Sequence, residues 1–174
     1  MNINSLTIRH TTLYKLIFGI VFLLFCIKTP SVFSQQLKFD SIETSIHADS
    51  LLQFAEKYLG TPYKLAGKTA KGFDCSGFVH HVYKAFNVKV PYSCPGISSI
   101  CATKINKADL QKGDLLFFKG SNSKSNSIGH IAIVHTVDED GIKMIHSCRR
   151  GVILESLNKS TYYKARYLFA KRLF

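Results

Sequence analysis

A chain of 174 residues can build one domain with a full core and leaves little room for a second. An apolar share of 46% excludes a disordered or low-complexity protein. Lys and Arg outnumber Asp and Glu by 23 to 11, which suits an anionic surface, but the lysines (Lys57, Lys64, Lys68, Lys71, Lys104, Lys107, Lys112) are scattered, so no nucleic-acid stripe is predicted.

Arg9 and Lys15 precede LIFGIVFLLFCI, Leu16 to Ile27, which has the length of a signal-peptide core and is short for a membrane span. Val32 and Ser34 are small enough for the peptidase positions, so residues 1–34 are predicted to be a signal peptide. The alternative is an uncleaved anchor, the one way this chain would touch a membrane. A lipid site at Cys26 is disfavoured by bulky Phe25. Losing Arg9, Lys15 and Lys28 takes the net charge from +12 to +9. Residues 35–46 form a polar leader, too short for a separate binding domain, and 47–174 the folded domain. Export, to the periplasm or cell envelope, would bring the basic surface against an anionic envelope.

IHADSLLQFAEKYLG repeats Leu51, Leu52, Ala55 and Leu59 at helical spacing and stops at Gly60. TPYKLAGKTAKG is a loop. FDCSGFVHHVYKAFNV is a second helix with Phe78, Val79, Val82 and Phe86 on one face and Asn87 as its stop. Gly77 in its first turn points to a backbone or ligand close by. VPYSCPGISS, with two prolines, reads as irregular. GDLLFF, HIAIVHTV, IKMIHSC, GVILESL and YLFAKRLF read as strands. Helices followed by a meander predict an α+β domain, helices packed on an antiparallel sheet.

Cys75 stands where the second helix begins. Free N–H groups and the positive end of the helix dipole lower a thiol's pKa there and can hold an oxyanion. Asp74 suits the N-cap. Cys75 also reads as a small buried hydrophobe. A nucleophilic thiol needs a base. His47 lies in the first helix, and His80 and His81 are poorly aligned with Cys75 on its own helix. His130, His135 and His146 remain. A simple hairpin about DEDG sets His130 opposite residues near 149 or 150, so a bulge or bend must bring His146 to it. The rings share a face only if the turn holds an odd number of residues. The alternative is two unrelated strand histidines. Among the other cysteines, Cys94 and Cys101 are close enough in sequence to bridge. Cys148 shares a strand face with His146 and is expected to be core filler rather than a disulfide partner that silences Cys75. No spacing resembles a zinc site.

GTPYKLAG, FDCSGFV, KGDLLFF, GHIAIVH and IHS, in this order, resemble the motifs of the NlpC/p-sixty superfamily of cell-wall cysteine peptidases. The likeness runs from about Leu51 to Phe174 and is greatest to small single-domain murein endopeptidases of Gram-negative envelopes. The resemblance implies a papain-like fold with Cys75 as nucleophile, His130 as general base and His146 as the residue orienting it. It places Tyr63 near the oxyanion and Asp74 and Ser76 near the substrate's polar groups. The implied reaction cleaves a peptidoglycan stem-peptide or cross-link amide through an acyl-enzyme, with no metal or cofactor. Two further readings share the fold: a catalytically idle wall-binding scaffold, and amidase or acyl-transfer chemistry. The usual double glycine is Ala66-Gly67 here, and Val90-Pro91 is followed by Tyr92 where an arginine is common. These departures border the substrate groove and bear on bond preference.

Overall fold

The computed structural model describes residues 48–101 and 103–173, so the predicted signal peptide, the leader and His47 lie outside the described residues. Helix α1, residues 48–56, buries Ala48, Leu51, Leu52 and Ala55, the face its periodicity predicts. It gives way to a turn that ends at Gly60, whose φ of +83° favours glycine. Leu59 falls in that turn and is largely exposed. The predicted loop holds a two-residue hairpin, β1 (Lys68–Thr69) and β2 (Gly72–Phe73), that leads directly into helix α2 (Cys75–Lys84). α2 buries Phe78, Val79, Val82 and Tyr83, and the chain turns away through Asn87 at φ +60°.

The stretch expected to be irregular contains helix α3 (Cys94–Ile100). Ser93 caps it by accepting from the Gly96 amide. Pro95 sits in the first turn, where a missing N–H costs nothing, so its presence marked a helix start rather than a break.

The strands then form one antiparallel sheet in the order β3-β8-β4-β5-β6-β7. They are β3 (Thr103–Ile105), β4 (Leu115–Lys119), β5 (Ile128–Asp138), β6 (Gly141–Cys148), β7 (Gly151–Ser156) and β8 (Tyr167–Arg172). A short helix, α4 (Thr161–Arg166), which sequence reading did not predict, precedes β8. Alternate residues divide between two cores. Leu115, Phe117, Ile131, Ile133 and Ile145 share one core with residues of α1, α2 and α3. Leu116, Phe118, Ala132, Val134 and Met144 meet Tyr163 of α4 on the other face. The α+β class is as expected, but both sheet faces are covered.

Asp114 is buried and held bidentately by Arg172, Nε–Oδ1 2.7 Å and Nη2–Oδ2 2.9 Å, and it accepts from the Gln111 amide. Tyr83 donates to the Gly113 carbonyl at 2.6 Å. The GD pair therefore ties the start of β4 to α2 and to the last strand, an architectural task. No helix among the described residues is long and apolar enough to cross a membrane.

Candidate active site

Cys75 is the first residue of α2, and Asp74 is its N-cap, accepting from the Gly77 amide at 2.6 Å. The first helical bond runs from the Phe78 amide to the Asp74 carbonyl, so the Cys75 amide, at the helix start, has no partner within the helix. Buried Ser76 directs its hydroxyl to Asp74 Oδ1 (3.1 Å) and to the Tyr92 carbonyl (2.9 Å), bracing the helix start against the following loop. The space at Gly77 belongs to the protein's own backbone: a Cβ there would lie 2.0 Å from the Gly67 carbonyl oxygen.

Across from Cys75 stands a residue that sequence reading missed. Cys94, at the start of α3, places its sulfur 3.6 Å from that of Cys75. The Cys75 thiol is pulled down to about 5, first by the hydrogen bond from Cys94, then by a hydrogen bond and charge from His130, against the opposing effects of burial and of Asp74. The Cys94 thiol is pushed up by the same bond and by burial, so it keeps its proton and donates. The Cys94–Cys101 bridge does not form. Cys101 donates to the Ile97 carbonyl instead (3.2 Å), and all four described cysteines are free.

The sheet brings the two histidines together by a route different from the odd turn. Asp138 pairs with Gly141 across a two-residue turn, which alone would put the rings on opposite faces. A bulge at His135 corrects the phase: Thr136 pairs with Lys143, but Val134 pairs with Met144. Continued along β5, this register sets His146 opposite Ala132, two positions from His130 on the same face. His130 Nε2 and His146 Nδ1 are 2.9 Å apart.

His146 is fully buried, and its pKa falls to about 3 through burial and the charges of His130 and Arg150. It therefore stays neutral with one ring proton. Its Nε2 faces Glu155 of β7 at 3.3 Å, and a carboxylate can only accept, so the proton belongs on Nε2. Nδ1 is then a lone pair that accepts from His130 Nε2–H, so the other ring nitrogen of His130 is the one left to exchange a proton with the Cys75 thiol. Glu155 is held in turn by Arg150. Tyr163 stacks on His130 and meets His146 edge-on. Neither Glu155 nor Tyr163 carried a sequence signal, since each acts only through a strand or helix packed beside the histidines.

Beside His130 opens a cleft of about 630 Å³, walled by Tyr63, Gly129, Cys148, Tyr163 and several cations. Cys148 lines this cleft half-buried, so the expectation that it fills the core is corrected: its strand face is the cleft face. Tyr63 is partly exposed, and its hydroxyl pKa is raised by burial and by the nearby Cys75 and Asp74. Gly129 is bulged, and a Cβ there would lie 2.3 Å from Gly120 Cα, so only glycine lets His130 turn in at this crossing. The remaining histidines among the described residues are engaged elsewhere. His80 bonds the Val90 carbonyl and stacks on Tyr92. His81 packs among Phe54, Tyr58 and Phe73. His135 bonds Glu56.

A thiol at a helix start facing two strand histidines, with helices on one antiparallel sheet, is a papain-like arrangement, and residues 60–172 match the NlpC/P60 family. The chain belongs to the NlpC/P60 family. It is 39% identical over 127 residues to a gamma-D-glutamyl-L-lysine dipeptidyl-peptidase of Bacillus cereus, a match covering 72% of this chain and 36% of that one. The chain thus spans about a third of that relative's length. It is 29% identical over 152 residues to the murein DD-endopeptidase MepS/murein LD-carboxypeptidase of Escherichia coli, covering 84% of this chain and 74% of that one. The crystal structure of an NlpC/P60 family protein from Bacillus cereus superposes with a TM-score of 0.64 at 35% identity, covering 72% of this chain and 40% of that one.

Proposed function

We propose that this NlpC/P60 domain is a peptidoglycan endopeptidase that cleaves a stem-peptide or cross-link amide with Cys75 as nucleophile, His130 as general base and acid, and His146 as the residue that orients His130. The observation that carries the reading is the alignment of a low-pKa helix-start thiol with two strand histidines 2.9 Å apart. The Cys75 thiolate adds to the amide carbonyl, and the oxyanion takes the Cys75 amide, with Tyr63 at its side. The C–N bond breaks as protonated His130 donates to the leaving amine, and the acyl group stays on sulfur. Water, deprotonated by His130, then adds to the thioester, and the thiolate departs. Asp74 borders the acyl portion of the substrate, and Ser76 contributes by holding Asp74 in place.

The basic composition and the apolar segment before Ser34 support export across the inner membrane to the periplasm, where the substrate lies. An idle scaffold is disfavoured by the intact relay and by the thiol's depressed pKa, features that wall binding alone does not require. The test is digestion of purified sacculi with wild type and with Cys75→Ala, followed by mass analysis of soluble products. Loss of release in the variant is expected, and the new termini identify the bond. Equal release by both would remove Cys75 from the reaction.

A further inference from the structure

Two of the free cysteines stand as a pair, and the proposed reaction needs only one of them as nucleophile. Cys75 opens α2 and Cys94 opens α3, with their sulfurs 3.6 Å apart. A disulfide needs about 2.05 Å between sulfurs, so an approach of about 1.5 Å would join them. The segments that carry them are already tied, because the Ser76 hydroxyl donates to the Tyr92 carbonyl at 2.9 Å. Their exposures differ. Cys75 is part-exposed, as a thiol that meets a substrate must be, whereas Cys94 is 6% exposed. An oxidant from solvent therefore reaches Cys75 first, and Cys94 is engaged through Cys75. The other two described cysteines are placed differently. Cys101 is buried and donates to the Ile97 carbonyl, and Cys148 lines the cleft beside His130.

We propose that Cys75 and Cys94 form a reversible oxidation site for hydroperoxides, in which a disulfide between them silences the nucleophile and a thiol reductant restores it. The Cys75 thiolate attacks the outer oxygen of the hydroperoxide. The O–O bond breaks, the sulfur becomes a sulfenic acid, and the departing alkoxide or hydroxide takes a proton from water. The Cys94 sulfur then attacks the Cys75 sulfur, the S–O bond breaks, and the hydroxide leaves with the Cys94 proton as water. Each sulfur gives up one electron, and the peroxide takes both. Oxidation of Cys75 also readies its partner. The Cys94 thiol is kept protonated by its bond to Cys75, by burial and by the Cys75 charge. A neutral sulfenic acid removes that charge and the bond to a thiolate, so Cys94 ionises more readily. Without a second thiol at hand, a sulfenic acid proceeds to sulfinic and sulfonic acids, which dithiols do not reverse. The silencing of digestion rests on the peptidase reading above; formation of the disulfide does not.

The test treats the reduced, purified protein with a slight excess of hydrogen peroxide. Peptide linkage is read by mass spectrometry without reductant, and muropeptide release from sacculi is read before and after dithiothreitol. Wild type should give a Cys75–Cys94 linked peptide, a result that needs no variant. Its release should fall about tenfold or more, since a disulfide leaves no thiolate to attack, and return to within about twofold on reduction. Cys94→Ser keeps a hydroxyl donor beside Cys75, and each protein is scored against its own untreated rate. In that variant Cys75 should advance to the sulfinic and sulfonic acids, and dithiothreitol should restore no more than about a tenth of the lost rate. A Cys75–Cys148 linkage, the absence of any linkage in wild type, or full recovery in Cys94→Ser overturns the proposal and leaves the peptidase reading standing. A Cys75–Cys94 linkage in a protein whose reduced form releases nothing removes the peptidase reading and keeps the oxidation site.

Discussion

Two pairs of histidines share this domain, and their fates differ. His80 and His81 are adjacent in sequence and lie on the same helix as Cys75, yet their rings go separate ways, one to the Val90 carbonyl and one into an aromatic cluster. His130 and His146 are separated by 16 positions and touch at 2.9 Å. A helix turns successive side chains about 100° apart, so neighbours in sequence diverge. An antiparallel sheet brings distant residues of one face together, provided the register is right. Proximity along the chain is therefore a poor guide to a relay, and sheet phase a good one.

The strongest way to break this comparison is His130→Ala. Removing the proposed base should lower the rate of sacculus digestion by about 10³- to 10⁴-fold, and slow thiol labelling, while the fold by circular dichroism stays intact. His146→Ala should cost less, about 10²-fold, because His130 remains but turns freely; Nε2-directed acceptance could be partly restored in His146→Asn. Undiminished digestion by either alanine variant would dissolve the relay.

Cys94→Ala tests the thiol's partner on the helical side. Its hydrogen bond is the largest influence lowering the Cys75 pKa, so removing it should raise that pKa. The thiolate then forms at higher pH, and the acid limb of an alkylation-rate profile should move up by about one to two pH units. An unmoved or lowered midpoint would show that His130 and the helix start suffice.

The smallest expected effect belongs to His81→Leu, which should leave digestion within about twofold of wild type, the usual outcome away from the reacting atoms. Burial lowers the His81 pKa in the folded state. The unfolded chain then binds the proton more readily, so this group costs stability as pH falls below its ordinary value near 6.5. The variant should lose less stability than wild type between pH 7.5 and pH 5, read from urea midpoints. A steeper loss in the variant would reverse that sign.

Much of the site was legible without coordinates, because some residues announce their own surroundings. Asp74-Cys75-Ser76 before an apolar helix states a cap and a thiol at the helix start, and the alternation in HIAIVHTV and IKMIHSC states a sheet face. In VPYSCPGISS, Pro95 suits a helix's first turn as well as a loop, and Ser93 capping and burial of Ile97 decide for the helix. Strand alternation puts Cys148 on the face of His146, but it does not show that this face opens on the cleft at Cys148 rather than into core.

By itself the sequence determined the element order, the helix-start thiol, the family motifs and the excess of cations, since each depends on local pattern or composition. Tertiary structure alone decided that Cys94 faces Cys75, that the bulge at His135 brings His130 onto the same face as His146, that Glu155 sets the His146 proton, and that cations gather in the cleft beside His130. Those facts depend on register and on packing between segments far apart in the chain. A one-residue shift of phase moves a side chain to the other face of a sheet, and nothing in the local pattern records it.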